Sequence, residues 1–168
     1  MEDDFSLKGK VIVVTGATGI LGEAVVKGIV NSGGIVGVLG RNEKVARKRV
    51  DSILEEGGEA IALIADVTSE QDLINAREKL LSVYGKIDGL VNAAGGNLPN
   101  SVILPEQDIF KLNMSGLQEV VNLNLFGSIL PTQIFGEAIK KNSSGSIVNI
   151  SSIAADRALT RVLGYSLA

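Results

Sequence analysis

Five short runs of β-branched and small apolar residues, separated by longer stretches with helical spacing, restrict this fold more than any other feature of the sequence. The runs are Lys10–Gly16 (KVIVVTG), Gly34–Gly40 (GIVGVLG), Ala60–Asp66 (AIALIAD), Ile87–Gly95 (IDGLVNAAG) and Gly145–Ser152 (GSIVNISS). Between them, helices are expected over Ile20–Asn31, Glu43–Glu56 and Ser115–Lys141. A further helix is expected to start at Thr68 or Ser69, with Leu73, Ala76, Leu80 and Val83 on one face. Strands that alternate with helices form right-handed βαβ units, and these build a parallel sheet covered on both faces. Pro131 falls inside the last of the helices, where it removes a hydrogen bond, so a bend is expected near Asn124–Pro131.

Composition agrees with a buried sheet. The chain has 168 residues, 45% of them apolar and few aromatic, which suits one domain whose strands are hidden on both sides. No internal boundary or short repeat interrupts it. The net charge of −3 and the lack of a long basic run argue against a nucleic-acid partner. With no His, an imidazole shuttle or Ser-His-Asp triad is excluded. With no Cys, so are a thiolate nucleophile, a disulfide and a thiolate metal site, and no metal is expected. The start MEDDFSLKGK is acidic and polar, unlike a secretory signal, and no apolar run approaches membrane-spanning length. A cytoplasmic protein without a membrane partner is expected.

VVTGATGILGEA sets Gly16, Gly19 and Gly22 between the first strand and the first helix. Glycines there let the backbone turn tightly and approach a pyrophosphate, which the free N–H groups and the helix dipole then hold. A tight strand-to-helix connection alone would also explain them, but the place at the head of a βαβ series favours a dinucleotide. No Lys follows the last Gly, so an ATP-type loop is not indicated. At the end of the second strand, where an acid usually binds the ribose of NAD, stand Gly40 and Arg41. A small residue followed by a guanidinium accommodates a 2′-phosphate, which makes NADP the first choice and NAD the second. The alternative is that Arg41, Lys44 and Arg47 merely begin a solvated helix.

TGATGILG, ADV at Ala65–Val67, LVNAAG at Leu90–Gly95, NLFG at Asn124–Gly127, IVNISS and Tyr165 follow the order and spacing of the short-chain dehydrogenase/reductase family, which this chain resembles over nearly its whole length. The resemblance implies a Rossmann-type α/β fold with a doubly wound parallel sheet of order 3-2-1-4-5. It assigns the cofactor site to Gly16, Thr18, Gly19, Ile20, Leu21, Gly22 and Arg41. Asp66 would bond the adenine with Val67 packed beside it, and Asn92, Ala93, Ala94 and Gly95 would lie against the cofactor. Asn124 matches the asparagine that holds a water in a proton relay, Ser152 the serine that bonds the substrate oxygen, and Tyr165 the general acid/base that also adjoins the cofactor. Taken singly, each could be a locally satisfied polar residue, a strand-end cap or a core ring; the joint spacing favours the site. Gly19 departs from the commonest glycine spacing by one place.

The implied activity is an NAD(P)-dependent interconversion of a ketone and a secondary alcohol, in assemblies of two or four copies. A phenol titrating near pH 10 is only about 0.1% ionised at neutrality, so a base of this kind needs a nearby cation. In the family that cation is a lysine four residues on, whereas Ala168 is three residues beyond Tyr165. The chain is therefore expected to be a C-terminally incomplete domain, without the family's last strands and helices, and inactive by itself. The loop GGNLPNSVILPEQDIFKLN and the helix segment ILPTQIFGEAI resemble a sugar-acid branch of the family, the D-mannonate oxidoreductase (fructuronate reductase) and gluconate dehydrogenase type. A non-catalytic nucleotide-binding or regulatory module of the same fold is the competing expectation.

Overall fold

Val11–Val14 (β1), Ile35–Gly40 (β2), Glu59–Ile64 (β3), Gly89–Asn92 (β4) and Ser146–Asn149 (β5) form one parallel sheet in the computed structural model, which describes residues 5–157 and 159–168. The order is β3-β2-β1-β4-β5. From β1 the chain therefore builds outward first to one side and then to the other. The crevice where that reversal occurs, at the C-terminal ends of β1 and β4, is where open α/β sheets bind ligands.

Alternation along the strands sends successive side chains to opposite faces, and here both faces are covered. Val14, Val36 and Val38 pack under Ile20–Asn31 (α1) and Glu43–Glu55 (α2), against Val26, Ala46, Val50 and Ile53. Val13, Leu39, Leu63 and Leu90 pack on the other face under Glu70–Tyr84 (α3) and Gly127–Ile139 (α5), against Leu73, Leu80 and Phe135. Each fully buried side chain of this size contributes about 1.5–3 kcal/mol. At the sheet edge β5 differs, because all four of its residues are exposed.

Local caps set the helix starts. Asn42 accepts from the N–H of Val45 (3.1 Å), and Ser69, rather than Thr68, accepts from Asp72 (3.3 Å). Gly85, at φ +72°, ends α3 in the left-handed conformation. The expected inner face of α3 holds for Leu73, Ala76 and Leu80 but not for Val83, which is exposed. Tyr84, four residues after Leu80, continues the stripe into the core instead.

The long helix also differs from expectation. It starts at Met114 behind the cap Asn113, runs to Val121 (α4), and breaks into one π turn at Asn122–Phe126 before α5. There the N–H of Gly127 bonds the carbonyl of Asn122, five residues back. The extra residue of a π turn changes the helical phase, so the irregularity centres on Asn124, and Pro131 stays buried within α5. Strands end earlier than their apolar runs because Thr15–Gly16, Ala65–Asp66, Ala93–Gly95 and Ile150–Ser152 leave the sheet and form the walls of the crevice. A last short helix covers Leu163–Leu167 (α6).

Candidate cofactor cleft and catalytic cavity

Two turns meet at the crevice, and backbone contacts lock them. Thr15 is fully buried, and its Oγ1 accepts from the N–H groups of Ala93 and Ala94 at 3.0 Å each. The following Gly16 has φ +64°, and a Cβ there would stand 2.6 Å from the carbonyl oxygen of Ala93. At Gly22 a Cβ would run into the carbonyl of Gly16. The first turn of α1 thus lies directly on the glycine turn, and the N–H groups of Ile20, Leu21 and Gly22 have no helical carbonyl four residues back to bond, the first such bond being Glu23 N–H to Gly19.

The resulting cleft has a volume of about 440 Å³. Gly16, Thr18, Gly19, Ile20, Leu21, Gly22, Arg41, Val67, Ala93, Ala94 and Gly95 all line it, joined by Gly40, Ala65 and Leu123. Three expected members do not line it: Asp66, Asn92 and Tyr165, the last of which lies in a separate cavity. Asp66 turns its carboxylate back: Oδ1 accepts from the Thr68 N–H (2.9 Å) and hydroxyl (2.7 Å), and Oδ2 lies 3.4 Å from Nη1 of Arg41. Burial alone would raise the Asp66 carboxyl, but the Thr68 bonds and the Arg41 charge outweigh it and hold it below its ordinary value. Asn92 is buried, and its Nδ2 donates to Asn149 Oδ1 (2.8 Å), Thr132 Oγ1 (2.9 Å) and the Ser128 carbonyl (3.3 Å). It ties β4 to α5 and β5, while its Oδ1 has no partner among the described residues.

Gly40 has a further role in the cleft. A Cβ there would lie 2.7 Å from Thr18 Oγ1, so the Thr18 side chain occupies the space where position 40 would carry one. Arg41 projects beside it, with its side chain 74% exposed.

Asn124, Ser152 and Tyr165 share a second cavity, of about 120 Å³, with Ile150, Ser151, Ala154, Ala155, Ser166 and Ala168. Through the π turn, Asn124 grips the loop after β4. Its Oδ1 accepts from Gly96 N–H (2.8 Å), and its Nδ2 donates to the carbonyls of Gly96 (2.9 Å) and Val120 (2.8 Å). Gly95, on the cleft side, would place a Cβ 2.7 Å from the same Oδ1. Asn124 is accordingly the partition between cleft and cavity. Ser152 Oγ accepts from the Ala154 N–H (3.2 Å) and keeps its own proton to donate. Tyr165 is held by α6, whose Gly164 packs against Leu117 and Val120 of α4.

Sequence reasoning missed Thr15 as a brace and Ala65 and Leu123 as lining residues. A Thr directly before the first Gly was the available signal for the first; the other two have none, being small or apolar residues in apolar runs. Among the described residues no three His, Cys, Asp or Glu side chains are grouped to hold a metal ion. No helix among them is long and apolar enough to cross a membrane.

Similarity to known proteins is extensive. The short chain dehydrogenase family model matches residues 10–168. An uncharacterized oxidoreductase of Bacillus subtilis, UxuB, is 34% identical across 97% of this chain and 62% of its own length. A Haemophilus influenzae protein provisionally named a D-mannonate oxidoreductase, solved with bound NAD, superposes with a TM-score of 0.91 at 32% identity, over 97% of this chain and 62% of that one. A 7α-hydroxysteroid dehydrogenase complexed with NADH and 7-oxo glycochenodeoxycholic acid superposes at 0.88 with 30% identity, over 99% and 62% of the two chains. The chain spans about 62% of the length of these relatives. On the match across residues 10–168 and the parallel 3-2-1-4-5 sheet, this chain belongs to the short-chain dehydrogenase/reductase family.

Proposed function

We propose that the protein is an NAD(P)-dependent oxidoreductase that interconverts a ketone and a secondary alcohol on a sugar acid of the mannonate/fructuronate or gluconate kind. The observation that carries this reading is that Asn124 separates, and joins, an anion-suited glycine cleft and a cavity holding Ser152 and Tyr165. The cleft fits a dinucleotide: its glycines leave room for backbone approach, and the first amides of α1 await an anion. Gly16, Thr18, Gly19, Ile20, Leu21 and Gly22 would hold the pyrophosphate, with Ala65, Val67, Ala93, Ala94 and Gly95 beside the rest of the molecule. When bound, the nicotinamide supplies or takes up a hydride.

The side chains do the remainder. Ser152 donates its hydroxyl proton to the substrate oxygen and polarises the carbonyl, and Tyr165 delivers a proton to that oxygen on reduction or removes it on oxidation. Asn124, pinned at both ends of its amide, keeps the Gly95–Gly96 turn in place between them. The sugar-acid class is supported by the resemblance of residues 95–113 to that branch and by the name of the Haemophilus relative.

For the cofactor, NADP is the first choice. Gly40 leaves no carboxylate for a ribose, and Arg41 can exchange its long contact to Asp66 for a 2′-phosphate. NAD is the second reading, favoured by the NAD and NADH in the two solved relatives. Titration with NADPH and NADH tests the choice: Arg41→Ala should weaken NADPH by about tenfold or more and NADH little. Equal losses would refute it. Turnover of hexuronate-type keto acids by the whole enzyme tests the activity itself; dinucleotide binding with no turnover of any ketone by the whole enzyme would point to the nucleotide-binding module instead. We further infer a cytoplasmic protein of two or four copies, supported by Met114, Leu125, Phe126 and Ile129, which are exposed along α4, the π turn and α5.

A further inference from the structure

A cation stands behind the glycine turn, on the side away from the cleft. Arg49, on the inner face of α2, has a side chain only 17% exposed. Its Nη1 donates to the carbonyl oxygen of Ala17 and, at 3.0 Å, to that of Gly19, while Nη2 donates to Glu23 Oε2 at 2.8 Å. Arg49 does not line the cleft, so it meets the bound molecule only through what it holds.

What it holds is the orientation of two peptide planes. In a trans peptide the C=O and the following N–H point in opposite directions across one rigid plane. The Ala17 carbonyl shares its plane with the N–H of Thr18, and the Gly19 carbonyl with the N–H of Ile20. A guanidinium that grips both carbonyls from the α2 side turns both N–H groups away from α2; the Gly19 carbonyl also accepts from the Glu23 N–H (3.0 Å), so the Ala17–Thr18 plane depends on Arg49 the most. Thr18 and Ile20 line the cleft, and neither N–H has an acceptor among the described residues. Both carbonyls bond one nitrogen, Nη1, whose two N–H groups can serve one each, while the other arm of the guanidinium is taken by Glu23. Arg49 also offsets the one carboxylate in the first turn of α1. Glu23 is held below its ordinary value by its bond from Lys27 and by the Arg49 charge, and without them would repel an anion at the same helix start.

We infer that Arg49 is a positioning residue that aims the Thr18 and Ile20 amides at the cofactor diphosphate. This rests on the dinucleotide reading of the cleft, and the test separates the two. Adenosine and ADP are titrated into the purified protein and its variants, because only ADP carries the diphosphate. R49A should lower ADP affinity by about tenfold or more, as expected when two charged hydrogen bonds to the turn are removed, and leave adenosine affinity unchanged. R49K, which keeps the charge on a shorter side chain that loses the Glu23 bond on reaching for the carbonyls, should recover only part of the loss. E23Q weakens the tie between α1 and α2 to a neutral hydrogen bond but spares both carbonyl contacts and removes a negative charge, and should not lower the ratio of ADP to adenosine affinity. A plain strut between the helices would instead lower Tm in R49A and E23Q alike with no change in that ratio. An unchanged ratio in R49A, or in R49K if R49A does not fold, overturns the inference while leaving the dinucleotide reading intact. A parent protein that binds neither ADP nor NAD(P)H overturns both.

Discussion

β1 and β5 carry similar apolar stretches, VIVV and SIVN, yet occupy opposite environments. Val11, Val13 and Val14 are at most 1% exposed, whereas Ile147 and Val148 are 37% and 47% exposed. The sites at their ends differ in the same way. Beyond β1, the cleft is walled largely by main chain, braced by Thr15, which accepts from the Ala93 and Ala94 amides, and by Arg49, which donates to the carbonyls of Ala17 and Gly19. Beyond β5, the cavity gathers three polar side chains from separate segments, Asn124, Ser152 and Tyr165; Asn124 is pinned at both ends of its amide and Ser152 through one bond from the Ala154 N–H. A main-chain site tolerates changed side chains but not an added Cβ or a tilted peptide. A side-chain site fails atom by atom.

The sharpest break between the two regions is Tyr165→Phe. In the whole enzyme, losing the hydroxyl should lower turnover by about 10²–10⁴-fold while NAD(P)H titration stays as in the parent, because the ring and α6 remain. Turnover within a fewfold of the parent would remove Tyr165 from the chemistry and with it the side-chain half of the comparison.

Gly22→Ala makes the complementary cut. Its methyl would meet the Gly16 carbonyl, backbone against backbone, so the turn must open. Dinucleotide affinity should fall by tenfold or more and stability by about 1–3 kcal/mol, read from calorimetry and denaturant titration. Unchanged affinity would show that the turn is not the binding element.

Thr15→Val keeps shape and removes an acceptor. The half-buried N–H groups of Ala93 and Ala94 would then lose their acceptor, at a cost of about 0.5–1.5 kcal/mol for each bond. A variant as stable as the parent would mean that the two turns are not joined through Thr15.

The smallest effect belongs to the opposite end of the sheet. Asp88 accepts from the Val11 N–H (2.8 Å) and pairs with Lys86 (2.9 Å) and Lys10. Burial opposes its charge, yet these donors hold its carboxyl below the ordinary value. A depressed carboxylate adds stability that is fully present above about pH 4 and is lost as pH falls through the lower folded value. Asp88→Asn should flatten that acid limb of the Tm profile and leave cofactor affinity alone; an unchanged limb would rule Asp88 out as its source.

Much of this was legible locally. Ile20–Asn31 is a helix over the residues its spacing indicates, and Gly16, Gly19 and Gly22 line the cleft because a glycine turn before a helix is a short-range instruction. Periods of two and of about 3.6 in apolar residues report on which faces are buried, and those periods are present in the chain before it folds. Other features depended on partners far along the chain. Val83 and Tyr84 both lie one turn beyond Leu80, and only the position of the sheet chooses Tyr84. Asn92 reads as a cleft residue until Thr132 and Asn149 draw its amide inward. The π turn at Asn122–Phe126 has no composition of its own; it exists where Asn124 can bond Gly96.

By itself, then, the sequence determined the strand and helix alternation, the glycine turn and the set of polar residues available for chemistry, since each rests on neighbours within a few positions. The tertiary structure alone decided that Asn124 divides the cleft from the cavity, that the Asn92 amide turns inward to Asn149, and that Arg49 grips the carbonyls of Ala17 and Gly19. Those outcomes depend on hydrogen bonds between residues 28 to 57 positions apart. No local pattern encodes such a bond, because its geometry exists only once the sheet has brought both ends together.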